Sequence, residues 1–167
     1  MEIYCLRHGL AVDLETQGFL NDAERTLTAE GERKLRGIIK WMQAMELSFD
    51  WILFSPYVRT RQTADLVARG LDARDRLKPA DCLAPGGTTR QVVHALRHLA
   101  PAPKKVLLVG HEPGLSDLVS LLVTGNIGLR MVLKKGGLCK LTVASLNPSQ
   151  CAVLEWLVTP RQMIGPT

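Results

Sequence analysis

The spacing of apolar positions changes along the chain, and each change marks a new element. Ile3-Tyr4-Cys5-Leu6 is a short unbroken apolar run of the kind a buried strand requires. A polar stretch follows from Asp13 to Arg25. Leu35, Ile38, Ile39 and Met42 then recur at helical spacing, which predicts an amphipathic helix over about 28–46 with Thr28 as N-cap and Glu30 in the first turn. Trp51-Ile52-Leu53-Phe54 predicts a second strand. Ser55-Pro56 predicts an N-cap followed by proline at the first helical position, opening a helix that runs to about Arg69. A short strand is expected around 77–82, a turn at Pro85-Gly86-Gly87, and a helix under the stripe Val92, Val93, Leu96 and Leu99. Val106-Leu107-Leu108-Val109 is apolar at every position, as a parallel strand covered on both faces should be. Leu115, Leu118, Val119 and Leu122 mark the next helix. Two strand-like pieces, about 138–145 and 152–158, flank Asn147-Pro148-Ser149 and predict an antiparallel hairpin.

Alternation of strand and helix predicts an α/β fold: a three-layer α/β/α sandwich, mostly parallel, with a C-terminal antiparallel hairpin and one domain over 1–167. Hydrophobic and charged fractions of 46% and 22% exclude a disordered or fibrous chain. No apolar run reaches the roughly 20 residues of a membrane span, and Met1-Glu2-Ile3-Tyr4 carries no basic leader, so a cytoplasmic protein is expected. The cysteines Cys5, Cys82, Cys139 and Cys151 are scattered with no C-x-x-C pair, which predicts reduced core thiols rather than a zinc site. The net charge is +5, and from Gly125 onward Arg130, Lys134, Lys135, Lys140 and Arg161 face a lone acid, Glu155. A basic face suits an acidic or phosphorylated partner. Nucleic acid is not expected, because aromatic residues make up only 5% of the chain and form no basic-aromatic module.

In an open α/β sheet, ligands bind beyond the carboxyl ends of the strands. Three predicted strands end there in Leu6-Arg7-His8-Gly9, in Ser55-Pro56-Tyr57-Val58-Arg59 and in Gly110-His111-Glu112-Pro113-Gly114. Two guanidiniums delivered to one edge select a dianionic, multi-oxygen ligand, and phosphate matches their forked donors. Helix N-termini after Ser55 and Pro113 would add backbone donors. Nearby positive charge keeps a histidine neutral, and a neutral imidazole can attack phosphorus to form a phosphohistidine. His8, between Arg7 and the conformationally free Gly9, is the expected nucleophile, with His111 donating to the phosphoryl oxygens.

Other chemistries lack their residues. No cysteine is followed six positions later by arginine, and there is no G-x-x-x-x-G-K-[ST] loop, G-x-S-x-G elbow or acid-rich two-metal cluster. His94 and His98 stand four apart but have no third ligand in sight, so they are expected on a solvated surface. Arg61 is expected in solvent; Lys134-Lys135 reads as a solvated basic turn or as a feature that steers an acidic partner. Arg25 can meet either the phosphoryl group or a surface acid.

These residues resemble a known family. Leu6-Arg7-His8-Gly9 resembles the R-H-G signature of the histidine phosphatase superfamily, whose fold is phosphoglycerate-mutase-like. Ser55-Pro56-x-x-Arg59-x-x-Gln62-Thr63-Ala64 is similar to its second block and Gly110-His111 to its third. Arg25-Thr26-Leu27-Thr28 leading into a helix, Gly110-His111-Glu112-Pro113, Lys134-Lys135-Gly136-Gly137 and Leu157-x-x-Pro160 resemble the SixA-type phosphohistidine phosphatases. The resemblance implies His8 as the phosphorylated nucleophile; Arg7, Arg59 and His111 as the phosphate pocket, with Gly9 and Arg25 beside it; no metal or other cofactor; and no cap domain. It implies a phosphohistidine-bearing signalling protein as substrate, with a broad small-molecule phosphomonoesterase or a non-catalytic phosphate-binding module as alternatives. Larger members carry an acidic general acid; Asp81 and Glu112 are the candidates for it here, and Asp22 a further one. An imidazole leaving group is protonated more readily than an alkoxide, so a missing acid favours phosphohistidine over phosphomonoesters.

Overall fold

The computed structural model describes residues 1–15, 21–146 and 150–165. Among them a six-stranded sheet has the order β3-β2-β4-β1-β5-β6. Its strands are β1 (Glu2–Arg7), β2 (Trp51–Phe54), β3 (Leu77–Pro79), β4 (Lys105–Gly110), β5 (Leu138–Val143) and β6 (Ala152–Val158). Strands β1 to β4 run parallel, β5 is antiparallel to β1, and β6 is antiparallel to β5. The hairpin is therefore present, while its expected turn at 147–149 lies outside the described residues.

Each central strand buries both faces, which is why the sequence shows continuous apolar runs rather than alternation. Ile3, Cys5, Val106 and Leu108 pack toward α3 (Thr89–Arg97) and α4 (Gly114–Thr124). Tyr4, Leu6, Leu107 and Val109 pack the other way, toward α1 (Ala29–Ala44) and α2 (Val58–Gly70). The short helix α5 (Pro160–Ile164) closes this second layer, its Ile164 against α1. Thr28 caps α1 as expected, its hydroxyl accepting from Gly31 N. Helix α5 was not anticipated, although Thr159, Pro160 and Gln162 form a capping box with proline in the first turn.

The start of α2 differs from expectation. Ser55 and Pro56 stay outside the helix, which begins at Val58 with Tyr57 in the extended N-cap position. The hydroxyl of Ser55 accepts from Tyr57 N at 3.3 Å and also meets an imidazole, so it is spent on the connection instead of capping a helix.

Candidate active site

Parallel register brings the strand ends together. Arg7 is paired with Gly110, and Phe54 with Val109, so His8, His111 and Ser55 leave three adjacent strands side by side. The His8 and His111 ring centroids are 5.2 Å apart. Arg59, in the first turn of α2, lies between them: its Nε–H donates to His8 Nε2 at 3.3 Å and its NH2 to His111 Nδ1 at 3.2 Å. Both imidazoles and this guanidinium are nearly buried.

These contacts define the protonation of each ring. The carbonyl of Gly9 only accepts, so His8 Nδ1 carries the proton and donates at 2.7 Å. His8 Nε2 therefore holds a lone pair, which Arg59 Nε–H now engages. Burial, outweighing the support of the Gly9 carbonyl, and the positive charge of Arg59 and Arg7, with His111 adding to it once that ring is protonated, bring the His8 pKa down to about 3. His111 Nδ1 likewise accepts from Arg59, so its Nε2–H donates to Ser55 Oγ at 2.8 Å. Burial and the Arg59 charge lower its pKa to about 4. Both rings are neutral at physiological pH.

Arg7 ends β1 with one guanidinium nitrogen donating to Leu133 O at 3.0 Å. Its Nε is buried with no hydrogen-bond partner among the described residues, a costly state that an acceptor arriving at the site would relieve. The turn after Leu133 is fastened to the same backbone: Gly136 N donates to the carbonyls of Arg7 and His8 at 3.0 and 3.1 Å.

Several anticipated site residues stand elsewhere. Gly9 does not open space for a ligand; a Cβ there would lie 2.7 Å from Leu35 Cδ1, so glycine serves the close approach of β1's exit to α1. Glu112 turns away from the imidazoles to cap α4, accepting from Ser116 N at 3.1 Å and from the Ser116 hydroxyl. That carboxylate also occupies the α4 N-terminus expected to face phosphate. Asp81 is exposed in the 3₁₀ turn Asp81–Leu83, and no hydrogen bond or ion pair links it to His8, Arg59 or His111 among the described residues. Arg25 meets an acid rather than the histidines, with NH1 on Asp22 Oδ1 at 2.8 Å and Nε on Val12 O at 2.7 Å.

Asp22 instead reaches the centre. Its Oδ2 and backbone carbonyl accept from the two terminal nitrogens of Arg59 at 2.8 and 2.6 Å. Burial raises its pKa, but Arg25 and Arg59 together hold the carboxyl below its ordinary value, so it is ionised. An anion already sits in the Arg59 fork, and His8 keeps only 5% of its surface exposed beneath it. No cap domain lies over the site among the described residues, yet the nucleophile candidate is more covered than an open site would leave it.

The rest of the second motif acts on the backbone. Thr63 Oγ1 accepts from Gly9 N at 3.2 Å and donates to Arg59 O at 2.7 Å, tying the β1 exit to α2. Gln62 accepts from Leu27 N at 2.7 Å and anchors the segment that leads into α1. Tyr57 places its ring 5.1 Å from that of His111 and 5.2 Å from the Arg59 guanidinium carbon. The rings of His94, on α3, and of His98, its C-cap, stand 4.1 Å apart and tilted, and no metal-holding group of three or more side chains occurs among the described residues.

An α/β sheet with paired arginines and neutral imidazoles at its carboxyl edge defines the class, a phosphatase. The chain belongs to the histidine phosphatase superfamily (branch 1), whose model matches residues 3–84. An uncharacterized protein of Picosynechococcus is 34% identical over 83% of this chain and 82% of its own length. Phosphohistidine phosphatase SixA of Escherichia coli is 28% identical over 75% of this chain and 76% of its own. Among solved structures, the protein histidine phosphatase SixA complexed with tungstate superposes with a TM-score of 0.81 at 22% identity, covering 97% of this chain and 99% of that one. The alpha-ribazole phosphatase of Shigella flexneri gives a TM-score of 0.69 at 18% identity, with 96% and 97% covered.

Proposed function

We propose that the chain removes phosphate from phosphohistidine on a protein, through a phosphohistidine formed on His8. The observation that carries this reading is the convergence of one neutral imidazole, its Nε2 lone pair toward Arg59, with two guanidiniums, one of which has a buried Nε with no partner among the described residues. The incoming dianion displaces the Asp22 carboxylate from Arg59 and supplies an acceptor to Arg7 Nε. Arg59 Nε–H moves from His8 Nε2 to a phosphoryl oxygen and frees the lone pair. The substrate ring takes a proton from solvent so that both of its nitrogens are substituted; His8 Nε2 attacks phosphorus in line, the P–N bond breaks with its electron pair going to the substrate nitrogen, and that ring leaves as neutral imidazole. The Gly9 carbonyl stabilises the cationic ring that results on His8. Water then hydrolyses phospho-His8, releasing phosphate and restoring the neutral ring.

The acid inventory supports this substrate class. Glu112 is committed to α4, Asp81 is exposed with no hydrogen bond or ion pair to His8, Arg59 or His111, and Asp22 is ionised, so among the described residues no protonated carboxyl is bonded into the site to assist a poor leaving group. A phosphoramidate bond tolerates that lack better than an ester. A side-by-side assay of a phosphohistidine protein and simple phosphomonoesters tests it. A strong preference for the phosphohistidine protein is expected, and equal turnover of the esters would refute it. Labelled substrate should leave acid-labile, base-stable phosphate on His8; its absence would return the chain to the role of a binding module. EDTA is expected to leave the rate unchanged.

A further inference from the structure

The two sides of the site differ in charge. Strand β6 is parallel to β1, so its carboxyl end reaches the same edge: Leu6 pairs with Leu138, and Leu138 with Val158. Thr159, Pro160 and Arg161 thus emerge level with His8, two strands away, or about 10 Å. The turn that carries Lys134 and Lys135 lies between, bonded through Gly136 N to the His8 carbonyl. Here a cleft of about 640 Å³ is lined by Lys34, Lys134, Thr159, Pro160, Arg161, Ile164 and Gly165. All its charged lining residues are basic. Lys34 is paired with Glu30, but Lys134 and Arg161 form no ion pair with any described residue. On the opposite side, the cleft next to His111 contains Glu112 and Asp117 and no cation.

Resting on the substrate proposed above, we infer that the β5–β6 side is a docking surface for an acidic flank of the phosphohistidine-bearing protein. A lone exposed lysine is ordinarily a solvated charge. This surface differs in having one sign, a floor of Pro160 and Ile164, a direct backbone tie to the proposed nucleophile and an acidic counterpart across the site. The contrast orients the partner: acidic residues are attracted toward Lys134 and Arg161 and repelled from Glu112 and Asp117. An extended chain covers about 10 Å in three residues, so the recognised acids sit three to four positions from the phosphohistidine.

Three synthetic phosphohistidine peptides test this, alike except for glutamate, glutamine or lysine at three and four positions from the phosphorylated residue. For the wild-type chain, kcat/KM at low salt should be about tenfold higher with glutamate than with lysine, and the gap should close at high salt. The double variant Lys134→Glu/Arg161→Glu should invert the order of the glutamate and lysine peptides, each rate taken relative to that of the same variant on the glutamine peptide. Absence of a flank preference in the wild type, or one that survives the double variant, would overturn the docking surface and leave the substrate reading standing. Hydrolysis of a phosphomonoester with no peptide cleaved would instead defeat the substrate reading and the docking surface with it.

Discussion

At the scale of single residues, the site works by fixing which nitrogen of each imidazole carries a proton. His8 is oriented by a carbonyl of its own neighbour, so its reactive nitrogen needs no base to be free. His8→Ala should abolish turnover and leave the fold intact, since the His8 ring stands outside both apolar clusters and its two ring hydrogen bonds, to Gly9 O and from Arg59 Nε, belong to the site; residual activity above a tenth of wild type, with a native circular dichroism spectrum, would remove it as nucleophile. His111 is set by Ser55. To donate to a phosphoryl oxygen it must move its proton to Nδ1, and the Ser55 hydroxyl, able to donate as well as accept, permits that exchange at no net charge. Ser55→Ala should therefore lower kcat about tenfold, the worth of one hydrogen bond, with Ser55→Thr recovering most of it. The ¹⁵N shifts of His111 should report a changed tautomer in the alanine variant, and unchanged shifts would assign Ser55 to packing alone. Asp22 competes with the substrate for Arg59. Asp22→Asn weakens that competition, so inorganic phosphate should inhibit at lower concentration; weaker inhibition would mean the carboxylate assists binding.

Elements position these groups through contacts that the hydrophobic pattern does not encode. The N-terminal turn of α1 sits against the chain leaving His8, with Thr28 N donating to Leu10 O at 2.9 Å. Gly31 makes this possible: a Cβ there would stand 2.2 Å from Leu10 O, a backbone atom that cannot yield. Gly31→Ala should cost about 2–3 kcal/mol in a urea unfolding titration, through overpacking, and should also reduce kcat because the His8 segment shifts with α1. Loss of stability with unchanged kcat would show that the segment is held by Thr63 and Gly136 without help from the helix. The extent and face of α1 were legible in Leu35, Ile38, Ile39 and Met42. The start of α2 was not, because Ser-Pro favours helix initiation locally while the hydroxyl is recruited by His111 from a strand 56 residues away.

Across the whole molecule, burying two neutral imidazoles links stability to pH. Their folded pKa values, about 3 and about 4, lie below the ordinary 6.5. Above about pH 6.5 both states are neutral and the full stability is present; as pH falls, the unfolded chain binds protons that the folded one refuses. Stability should decline between about pH 6.5 and 4, by up to about 1.4 kcal/mol per pH unit for each ring. Thermal unfolding of His8→Asn should show a shallower decline over that interval, and an identical slope would mean the ring is not held neutral. The same neutrality predicts no acid limb from His8 in the rate profile near pH 6.5.

The class of fold was readable from apolar spacing alone, because a strand covered on both faces and a helix covered on one leave different periods in the chain. Arg7, His8, Arg59 and His111 were readable as a group because strand ends in a parallel sheet must share an edge. Sequence could not decide among the acids. Asp22, Asp81 and Glu112 all lie near motif residues, and only tertiary structure sends one carboxylate to Arg59, one to the amides of α4 and one to solvent. Nor could it show that Gly9 answers to Leu35 or that Ser55 answers to His111. Periodicity records how much water each position sees; hydrogen bonds of specific donors and acceptors depend on distances between residues far apart in the chain, and those exist only once it has folded.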